Sequence, residues 1–297
     1  MHLGTQQKRK MKQFFCKSLM SLSFAAALAL QGTAAYAGYE KASLRYDVEA
    51  PKKLGLNYDV YAGGFKALAA TLDMDLDPKA YDMSLKAKTQ GTIGSLFPWE
   101  GTYATSGVAK NGTPVPTMHT ARSSWKKDEK VTEMQYAPNG NLLKTTTHED
   151  NETKVKKDFD PKLTTDAVDM LTGALQMLQH SGQTSKCEGS FPVFDGKRRF
   201  NITLHDDGTE KLSKNKYSAF DGEALRCTLK VEPVAGFKKK DTQRGWMAVQ
   251  GHTEARKKLP TLWLAQLEEK GPMVPVRMEI ASAYGSVVAH LTGLQNK

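Results

Sequence analysis

The sequence predicts a mainly all-β fold: an antiparallel sheet with one α-helix packed against it around residues 164–180. Three observations support this prediction. Polar and apolar residues alternate along most of the chain, glycine, proline and asparagine separate the alternating runs, and one segment has the apolar spacing of a helix. Strict alternation is typical of antiparallel strands that bury one face. The short separations between runs indicate a meander.

Residues 1–37 are interpreted as an export signal that is removed. A basic segment precedes an apolar run from Leu19 to Leu30, and Ala35-Tyr36-Ala37 offers a signal-peptidase site. The apolar run is too short to span a bilayer, and no second long apolar run follows. Met11 can replace Met1 as the start, because the signal is complete from there. We therefore predict a periplasmic protein cleaved after Ala37, with no transmembrane anchor and with residues 38–297 forming a single β-rich domain.

Charge argues against a nucleic-acid partner. The full chain has 42 Lys and Arg against 32 Asp and Glu, a net charge of +10. Removing residues 1–37 takes away five cations and no anion, which leaves about +5. Acidic and basic residues are interspersed, whereas a nucleic-acid surface needs a concentrated basic face. No oligomeric state is specified by the composition.

The strands follow from the alternating runs, taken in chain order. We expect strands within residues 56–61, 68–77, 81–88, 102–108, 117–125 and 131–136, and after the helix within residues 200–205, 227–232, 261–266, 274–280 and 287–291. The very polar segment from Lys144 to Lys157 is interpreted as a strand edge or an exposed hairpin. Gly63-Gly64 is expected to form the first turn.

The helix is predicted from apolar residues at helical spacing, Val168, Leu171, Leu175 and Leu178. Thr164 or Thr165 is expected to cap its N-terminus, and Gly182 is expected to end it. Methionines widen the apolar face, which is better explained by core packing than by a promiscuous groove.

Cys187 and Cys227 are the two cysteines that remain after cleavage. An even cysteine count in an exported chain favours a disulfide. The bond would close a loop of about 41 residues and add roughly 4 kcal/mol to stability on the chain-entropy model. Two buried thiols or a redox-active pair are the alternatives.

The sequence assigns no residue to catalysis, to a metal or to a cofactor. It lacks the nucleophile elbow, the phosphate loop, the zinc-protease motif and the dinucleotide fingerprint. The segment Asp73–Ser84 imitates the start of a calcium loop, but Pro78 and Ser84 stand where glycine and glutamate are needed. Its alternating aspartates are explained by the solvent face of a strand. His205-Asp206-Asp207 could supply a base with its carboxylate, but Asp207-Gly208 is better interpreted as a turn between strands.

Two segments are candidates for ligand binding. Leu96, Phe97 and Trp99 lie among glycines in a segment expected to be a loop or a strand bend. An apolar loop of this kind can cap a cavity or touch a lipid, although we favour the simpler interpretation that it plugs the core of the sheet.

The second candidate follows the Asp195-Gly196 turn. This turn is a strong hairpin signal, and it is followed by Lys197, Arg198 and Arg199. Successive cations usually form a solvated edge that discourages strand pairing. The alternative is that they meet an anionic headgroup or polysaccharide at the mouth of a cavity.

Five segments carry a resemblance that covers most of the chain after residue 55. They are LNYDVYAGGFKALAATLDMDL, TDAVDMLTGALQML, CEGSFPVFDGKRRFNITL, the segment from Tyr217 to Phe237, and TLWLAQLEEKGPMVPVRMEIASAYGSVVAHL. Through them the chain resembles the family named domain of unknown function 3108, periplasmic proteins of Gram-negative, especially alphaproteobacterial, type. The resemblance implies a long, strongly curved sheet, an open barrel, with the helix against it. Such folds are similar to those of lipoprotein carriers, which bind acyl chains between a curved sheet and helices.

Two functions are expected from this combination. The first is a non-enzymatic periplasmic protein that binds an apolar or amphiphilic ligand, such as a lipid, or an envelope partner, and helps to maintain the cell envelope. The alternative is a hydrolase acting on envelope glycan or peptide. A hydrolase needs converging carboxylates or a His–carboxylate pair in a cleft. The family has no established activity, so the resemblance supplies no catalytic residues.

Overall fold

Within the residues that the structure describes, the alternating runs pair into one sheet of 14 antiparallel strands. A computed structural model describes residues 48, 50–110, 112–126, 128–239, 241, 247, 250–251, 253–254, 258–268, 271–282 and 285–295. These residues belong to one compact unit, Tyr39–Lys297. The export signal predicted for residues 1–37 lies outside the described residues.

The strands are continuous over long stretches of the chain. They are β1 Lys52–Ala62, β2 Phe65–Asp77, β3 Ala80–Thr89, β4 Trp99–Lys110, β5 Thr113–Trp125, β6 Asp128–Tyr136, β7 Leu142–Glu149, β8 Glu152–Lys156, β9 Gly189–Phe194, β10 Arg199–Leu212, β11 Gly222–Ala235, β12 Thr261–Gln266, β13 Met273–Ser282 and β14 Gly285–Gln295. The predicted strand positions are confirmed, and the polar segment after Leu143 forms the edge hairpin β7–β8.

The order of the strands in space is that of two joined meanders. It runs β8-β7-β6-β5-β4-β3-β2-β1-β14-β13-β12-β11-β10-β9. The last strand pairs with the first, from Gly55↔Gln295 to Ala62↔Val287. Residues 157–188 therefore connect the two edge strands, β8 and β9. At the turn between β1 and β2, Gly63 and Gly64 have φ of 57° and 88°, as a two-residue turn of the primed type requires.

The sheet curves until its far parts meet by side-chain packing. Phe194, at the end of β9, is buried in one cluster with Met134 and Tyr136 of β6. A Cβ added at Gly196 would lie 3.1 Å from Thr132 Cγ2, also on β6. The turn between β9 and β10 thus rests against β6, while β8 and β9 do not pair. The predicted all-β fold, an open and strongly curved antiparallel sheet with a packed helix, is confirmed.

The helices whose bounds the structure describes are α1 Gly91–Leu96, α2 Pro161–Thr164 and α3 Met170–Thr184. The long helix α3 begins later than predicted. Asp169, and not Thr164 or Thr165, caps it, because its carboxylate accepts the backbone N–H groups of Leu171 and Thr172. The helix also passes Gly182 and ends at Thr184, and the C-cap residue Ser185 has a left-handed φ of 53°. None of the described helices combines the length and apolar character that a membrane crossing requires.

Cys187 and Cys227 lie at disulfide-bonding distance, with Cα atoms 5.3 Å apart. Cys187 precedes β9 and Cys227 is on β11, so the pair reaches across β10. Both side chains are fully buried. This geometry supports the predicted pairing, which ties the edge of the sheet to its interior.

Candidate functional site

Helix α3 lies on the concave face of the sheet and packs against β4, β5, β9 and β13. Its apolar face is buried, with Leu175 at 1% exposure in the same core as Met74 of β2 and Val274 of β13. The sheet therefore wraps around the helix. Two features follow from this placement: a buried polar network at the start of α3 and a cavity beside its second half.

The network is centred on the carboxylate of Asp169. Its Oδ1 accepts the hydroxyl of Thr105 at 2.7 Å and the backbone N–H groups of Leu171 and Thr172 at 3.0 and 3.1 Å. Its Oδ2 accepts the hydroxyl of Thr172 at 2.6 Å. The network spans three elements, because Thr105 is on β4 and faces His119 on β5 across the strand pair.

The direction of the remaining hydrogen bonds follows from counting protons. Thr105 Oγ1 lies 2.6 Å from Nδ1 of His119. Since Thr105 has one hydroxyl proton and donates it to Asp169, Nδ1 of His119 is the donor in this contact. By the same argument, Tyr81 donates its phenol proton to Thr172 Oγ1 at 2.8 Å. His119 and Tyr81 thus donate to the two threonine hydroxyls, and both hydroxyls donate to Asp169.

The network keeps Asp169 ionised in a dry environment. Burial by itself raises the pKa of this carboxyl, but the hydrogen bond and attraction of His119 and the hydroxyls of Thr172 and Thr105 outweigh it, so the pKa is held below its ordinary value. Tyr136 lies near the same charge. Burial, with a smaller contribution from Asp169, raises the pKa of its phenol.

The composition of the network resembles a catalytic triad, but its geometry does not. In a triad, the histidine stands between nucleophile and carboxylate and uses one ring nitrogen for each. Here Thr105 and Asp169 both contact Nδ1 of His119. His119 and Asp169 are 2% and 0% exposed, which closes this His–carboxylate pair to a substrate. The network fastens the start of α3 to the sheet.

The cavity lies between the second half of α3, β2 and the start of β13, and its volume is about 650 Å³. Apolar side chains form much of its wall: Val48, Met74, Leu76, Leu175, Leu178 and Met273. Gly182 also lines the cavity and contributes no side chain of its own. A concave space of this size, with apolar side chains and a few polar ones in its wall, is typical of small-molecule sites.

The polar side chains of the cavity wall belong to Lys52, Gln179, Gln183 and Gln266. Lys52 lines it, and its ammonium is 3.5 Å from Glu268. The amide of Gln266 donates to the carbonyl of Gly271 at 3.0 Å. Both amide atoms of Gln179 are buried and have no hydrogen-bond partner in the described structure. These two atoms have less than 1 Å² of accessible surface each, so they are not open to the cavity, whose wall also includes Gln183.

A second concavity, of about 520 Å³, lies on the outer face of β1–β5. Asp73, Asp75 and Asp82 line it, and Asp75 is 2.6 Å from the ammonium of Lys53. The calcium-like segment thus forms the solvent side of the β2–β3 hairpin rather than a loop. No three His, Cys, Asp or Glu residues within the described ranges are grouped so that they could hold a metal ion.

The apolar segment around Phe97 does not plug the core. Residues 91–96 form α1, and Leu96 and Phe97 are 65% and 53% exposed. Trp99 begins β4 opposite Trp125 of β5, whose ring lies 6.2 Å from that of Phe97. Neither of the two cavities includes these residues, so their role in ligand binding stays a prediction.

The three cations after Asp195 contact groups of the chain itself. Arg198 forms an ion pair with Asp195 at 2.7 Å and lies over the ring of Phe237. Lys197 is 3.8 Å from Asp241, and Arg199 donates to the carbonyl of Lys162 at 3.3 Å. They line neither of the two cavities, and a contact with an anionic headgroup stays a prediction.

Sequence analysis missed both features of the interior. Thr105 and His119 lie at inward positions of alternating strands, and Asp169 stands three residues before Thr172, which is a helix-capping spacing. Gln179 follows Leu175 by four residues and so interrupts the apolar face of the helix. These signals are visible in the sequence, but pairing them requires the fold.

Comparisons with known proteins show a family but no activity. The family described as "Protein of unknown function (DUF3108)" matches residues 57–292. No curated protein matches the chain. Among solved structures, the crystal structure of a beta-barrel-like protein of domain of unknown function DUF1849 from Brucella abortus is similar, with a TM-score of 0.43 and 8% identity. That similarity covers 86% of this chain and 99% of the other.

Proposed function

Since this chain belongs to the DUF3108 family, whose function is unknown, we propose from its geometry that it is a non-enzymatic protein that binds an apolar or amphiphilic ligand. The binding site is the cavity of about 650 Å³ between α3 and the concave face of the sheet. This cavity is the observation on which the proposal rests. Its apolar wall suits a hydrocarbon chain, and its volume is within the range of small-molecule sites.

The position of the cavity supports binding over catalysis. Its wall combines Leu175 and Leu178 of α3 with Met74 and Leu76 of β2. The ionisable group that faces it, Lys52, is paired with Glu268. The His–carboxylate pair at the other end of α3 is closed to substrate. A ligand in the cavity would thus meet side chains that contribute dispersion contacts and hydrogen bonds.

The rigid start of α3 also supports the proposal. The Asp169 network fixes the first turn of the helix to β4 and β5. The second half of the helix forms one wall of the cavity. A wall fixed from one end keeps the cavity open without a ligand, which reduces the ordering cost of binding.

An exported location forms part of the proposal. The predicted signal in residues 1–37 directs the chain to the periplasm, where a disulfide between Cys187 and Cys227 is stable. We propose cell-envelope maintenance as its process, with a lipid or another envelope component as the ligand. The intact mass of the exported protein should correspond to a chain that begins at Gly38.

Binding can be tested with a fluorescent fatty acid. The full chain is expressed with its own signal, purified from the periplasm and delipidated, and dansylated undecanoic acid is titrated into it. We expect saturable binding in wild type. Gly182→Leu should weaken it by about tenfold or more, because the added side chain occupies the cavity. A Cβ at this position lies 3.6 Å from Met273, an ordinary contact, so the helix can accept the substitution.

The matched control is Gly251→Leu, the same change at an exposed position where an added Cβ meets nothing within 4 Å. It should bind the probe as wild type does. Native mass spectrometry of the protein before delipidation should show a bound apolar molecule. Absence of probe binding in wild type, or equal binding in wild type and Gly182→Leu, would contradict the proposal.

A further inference from the structure

The connections that follow odd-numbered strands lie at one end of the sheet. Neighbouring strands are antiparallel, and odd and even numbers alternate across the sheet, so all odd-numbered strands run in the same direction. We call the end at which these strands finish the β1–β2 end. The cavity lies towards the opposite end, since it is lined by Lys52 at the start of β1, Leu76 near the end of β2 and Met273 at the start of β13. The β1–β2 end is therefore separate from the proposed ligand site.

Four exposed apolar side chains lie at the β1–β2 end. Phe65 at the start of β2 is 75% exposed, Leu96 and Phe97 after β3 are 65% and 53% exposed, and Trp125 at the end of β5 is 43% exposed. They are neighbours, because α1 packs on β2 and the ring of Phe97 lies 6.2 Å from that of Trp125. We call these four side chains the apolar ridge. A contiguous exposed apolar surface marks a contact with a protein or a membrane.

The apolar ridge is held outward by hydrogen bonds of its backbone. Phe97 donates its N–H to the carbonyl of Ile93 at 2.7 Å, and Thr89 Oγ1 lies 2.9 Å from the carbonyl oxygen of Phe97. Gln90 donates its N–H to the carbonyl of Ala67 on β2 at 2.9 Å, which fixes the start of α1 to the sheet. Folding the apolar side chains back towards the core would break these hydrogen bonds. The exposure of the ridge is therefore part of the fold.

A second group at the same end is basic. The segments 160–164, 194–199 and 236–241 contain six cations and three carboxylates among their described residues. The cations, which we call the basic group, are Lys162, Lys197, Arg198, Arg199, Lys238 and Lys239. The segments are in contact, because Arg199 donates to the carbonyl of Lys162 at 3.3 Å and Lys197 lies 3.8 Å from Asp241. The β1–β2 end thus has a local excess of positive charge.

The three carboxylates in these segments are already engaged by their own turns. Asp160 accepts the N–H of Lys162, Asp195 accepts those of Lys197 and Arg198, and Asp241 accepts that of Lys238. Asp195 also pairs with the guanidinium of Arg198 at 2.7 Å. Arg199 contacts a neutral carbonyl instead, which leaves its charge uncompensated. An anionic surface would supply the missing negative charge.

We propose that the β1–β2 end docks on a lipid bilayer that contains anionic headgroups. The apolar ridge inserts at the level of the headgroups, where aromatic side chains are favoured. The basic group lies against the anionic headgroups. A bilayer fits this end better than an acidic protein does, because apolar side chains on separate turns can be buried in it without a complementary pocket for each.

The two groups have separate roles in this contact. Ion pairs neutralise much of the remaining charge at this end: Lys66 pairs with Asp59, Lys130 with Glu149 and Lys154 with Glu152, each at 2.7 Å. The preference for anionic lipid therefore comes from the basic group. The apolar ridge contributes affinity that does not depend on the charge of the lipid.

Sedimentation with vesicles tests the proposal. The exported full-chain protein is mixed with vesicles of phosphatidylcholine, either alone or with about 30% phosphatidylglycerol. We expect wild type to bind the anionic vesicles about tenfold more tightly than the neutral ones. This difference should shrink in about 0.5 M NaCl, because salt screens the attraction.

Variants of the ridge test the apolar contact. Leu96→Ser combined with Phe97→Ser should weaken binding to both kinds of vesicle by about tenfold or more. The matched control is Leu143→Ser combined with Leu294→Ser, which removes side chains that are 53% and 51% exposed near the opposite end of the sheet. This control should bind as wild type does.

Variants of the basic group test the charge contact. Lys162→Gln, Lys197→Gln and Lys238→Gln together should remove most of the preference for anionic vesicles and leave binding to neutral vesicles unchanged. The control changes the same net charge at connections of the opposite end, with Lys79→Gln, Lys110→Gln and Lys214→Gln. It should keep the wild-type preference.

The proposal is overturned if wild type sediments with neither vesicle, even where it captures an acidic protein. It is also overturned if the ridge variant binds as wild type does, or if the triple lysine variant keeps the full preference. A measurement on wild type alone covers the case of a variant that does not fold: brominated lipid in the anionic vesicles should quench its tryptophan emission, and unquenched emission contradicts insertion. The fluorescent-acid titration tests the cavity separately, because the ridge and the cavity lie at opposite ends.

Discussion

Nδ1 of His119, on β5, lies 3.1 Å from Oδ1 of Asp169, the residue that caps α3, and the two side chains are 2% and 0% exposed. The contact joins the sheet to the helix at a point where water cannot replace either partner. Removing one member of a buried pair leaves the other without compensation, which costs more than the pair itself contributes.

Asp169→Ala should be strongly destabilising. It removes the cap of α3, takes away the charge beside His119 and leaves the hydroxyls of Thr105 and Thr172 without their common acceptor. We expect the free energy of unfolding to fall by about 3–5 kcal/mol in urea denaturation followed by circular dichroism. Asn is also a good cap, so Asp169→Asn should lose less. Asp160→Ala, at the exposed cap of α2, is the control and should lose about 1 kcal/mol. Equal losses in the two alanine variants would refute the central role of Asp169.

Stability should also fall in acid because of Asp169. Its pKa is lower in the folded state than the value of 3.8 for an ordinary aspartate. The stabilisation is therefore complete above pH 3.8 and is lost as the pH falls from there through the folded-state pKa. Exposed carboxylates titrate in the same range, so the measurement is the difference between wild type and Asp169→Asn in urea at successive pH values. That difference should shrink below about pH 4. A difference that is constant from pH 7 to pH 2 contradicts the prediction.

The buried phenol of Tyr58 should cause the free energy of unfolding to decrease above about pH 10. It donates to the carbonyl of Pro275 at 2.8 Å, and burial raises its pKa above the ordinary value of 10.0. The folded state keeps the proton that the unfolded state loses, so stability is complete below pH 10 and falls as the pH rises. Tyr58→Phe should lose about 1–2 kcal/mol at pH 7 and show a shallower alkaline decline.

The control for Tyr58 is Tyr61→Phe, which removes a hydroxyl from a half-buried ring that packs against Tyr217. Its unfolding free energy at pH 7 should stay within about 0.5 kcal/mol of wild type. If both variants lose the same stability, the hydrogen bond to Pro275 makes no specific contribution.

Gly107→Ala should lower the stability of the protein by displacing Tyr81, a member of the Asp169 network. A Cβ at Gly107 would overlap the ring of Tyr81, whose hydroxyl is 2.8 Å from Thr172 Oγ1. Overpacking of this kind costs about 1–3 kcal/mol, measured as a lower urea midpoint. In Gly293→Ala the nearest atom is 3.9 Å away, and this control should unfold close to wild type. A Gly107→Ala protein with wild-type stability would show that Tyr81 can move at no cost.

The cysteine pair can be tested by thiol titration. Unreduced protein purified after export should have no free thiol in denaturant, and two after reduction. The double variant Cys187→Ala with Cys227→Ala should lose roughly 4 kcal/mol of stability. Two titratable thiols without reductant would show that the sulfurs are not bonded.

Much of the fold could be predicted because its signals are local. Alternation located the strands, and Leu171, Leu175 and Leu178 located the helix. The resemblance to the family is confirmed by the match over residues 57–292. The helix cap was misassigned, because Thr164, Thr165 and Asp169 are all residue types that cap helices. Which of them caps α3 depends on where the helix meets the sheet.

The candidate site could be predicted only in outline. The resemblance placed it between a curved sheet and a helix, where the cavity lies. Sequence reasoning chose as candidates the residues with the most distinctive chemistry, namely the apolar Phe97 and the cations Lys197, Arg198 and Arg199. Gln179 did not, because a glutamine in a helix is ordinary until both of its amide atoms are found buried without partners.

The amino-acid sequence was sufficient to predict the β class, the meander order and the long helix, and it favoured a bond between Cys187 and Cys227. Residue periodicity and turn chemistry are local signals that can be recognised over short stretches of the chain. The number of cysteines is known without any structure. The folded chain was needed to show that β14 pairs with β1, that Asp169 meets His119 fifty residues earlier in the chain, and that a cavity lies beside Gln179. Sheet curvature brings these groups together, and curvature is a property of all 14 strands acting jointly.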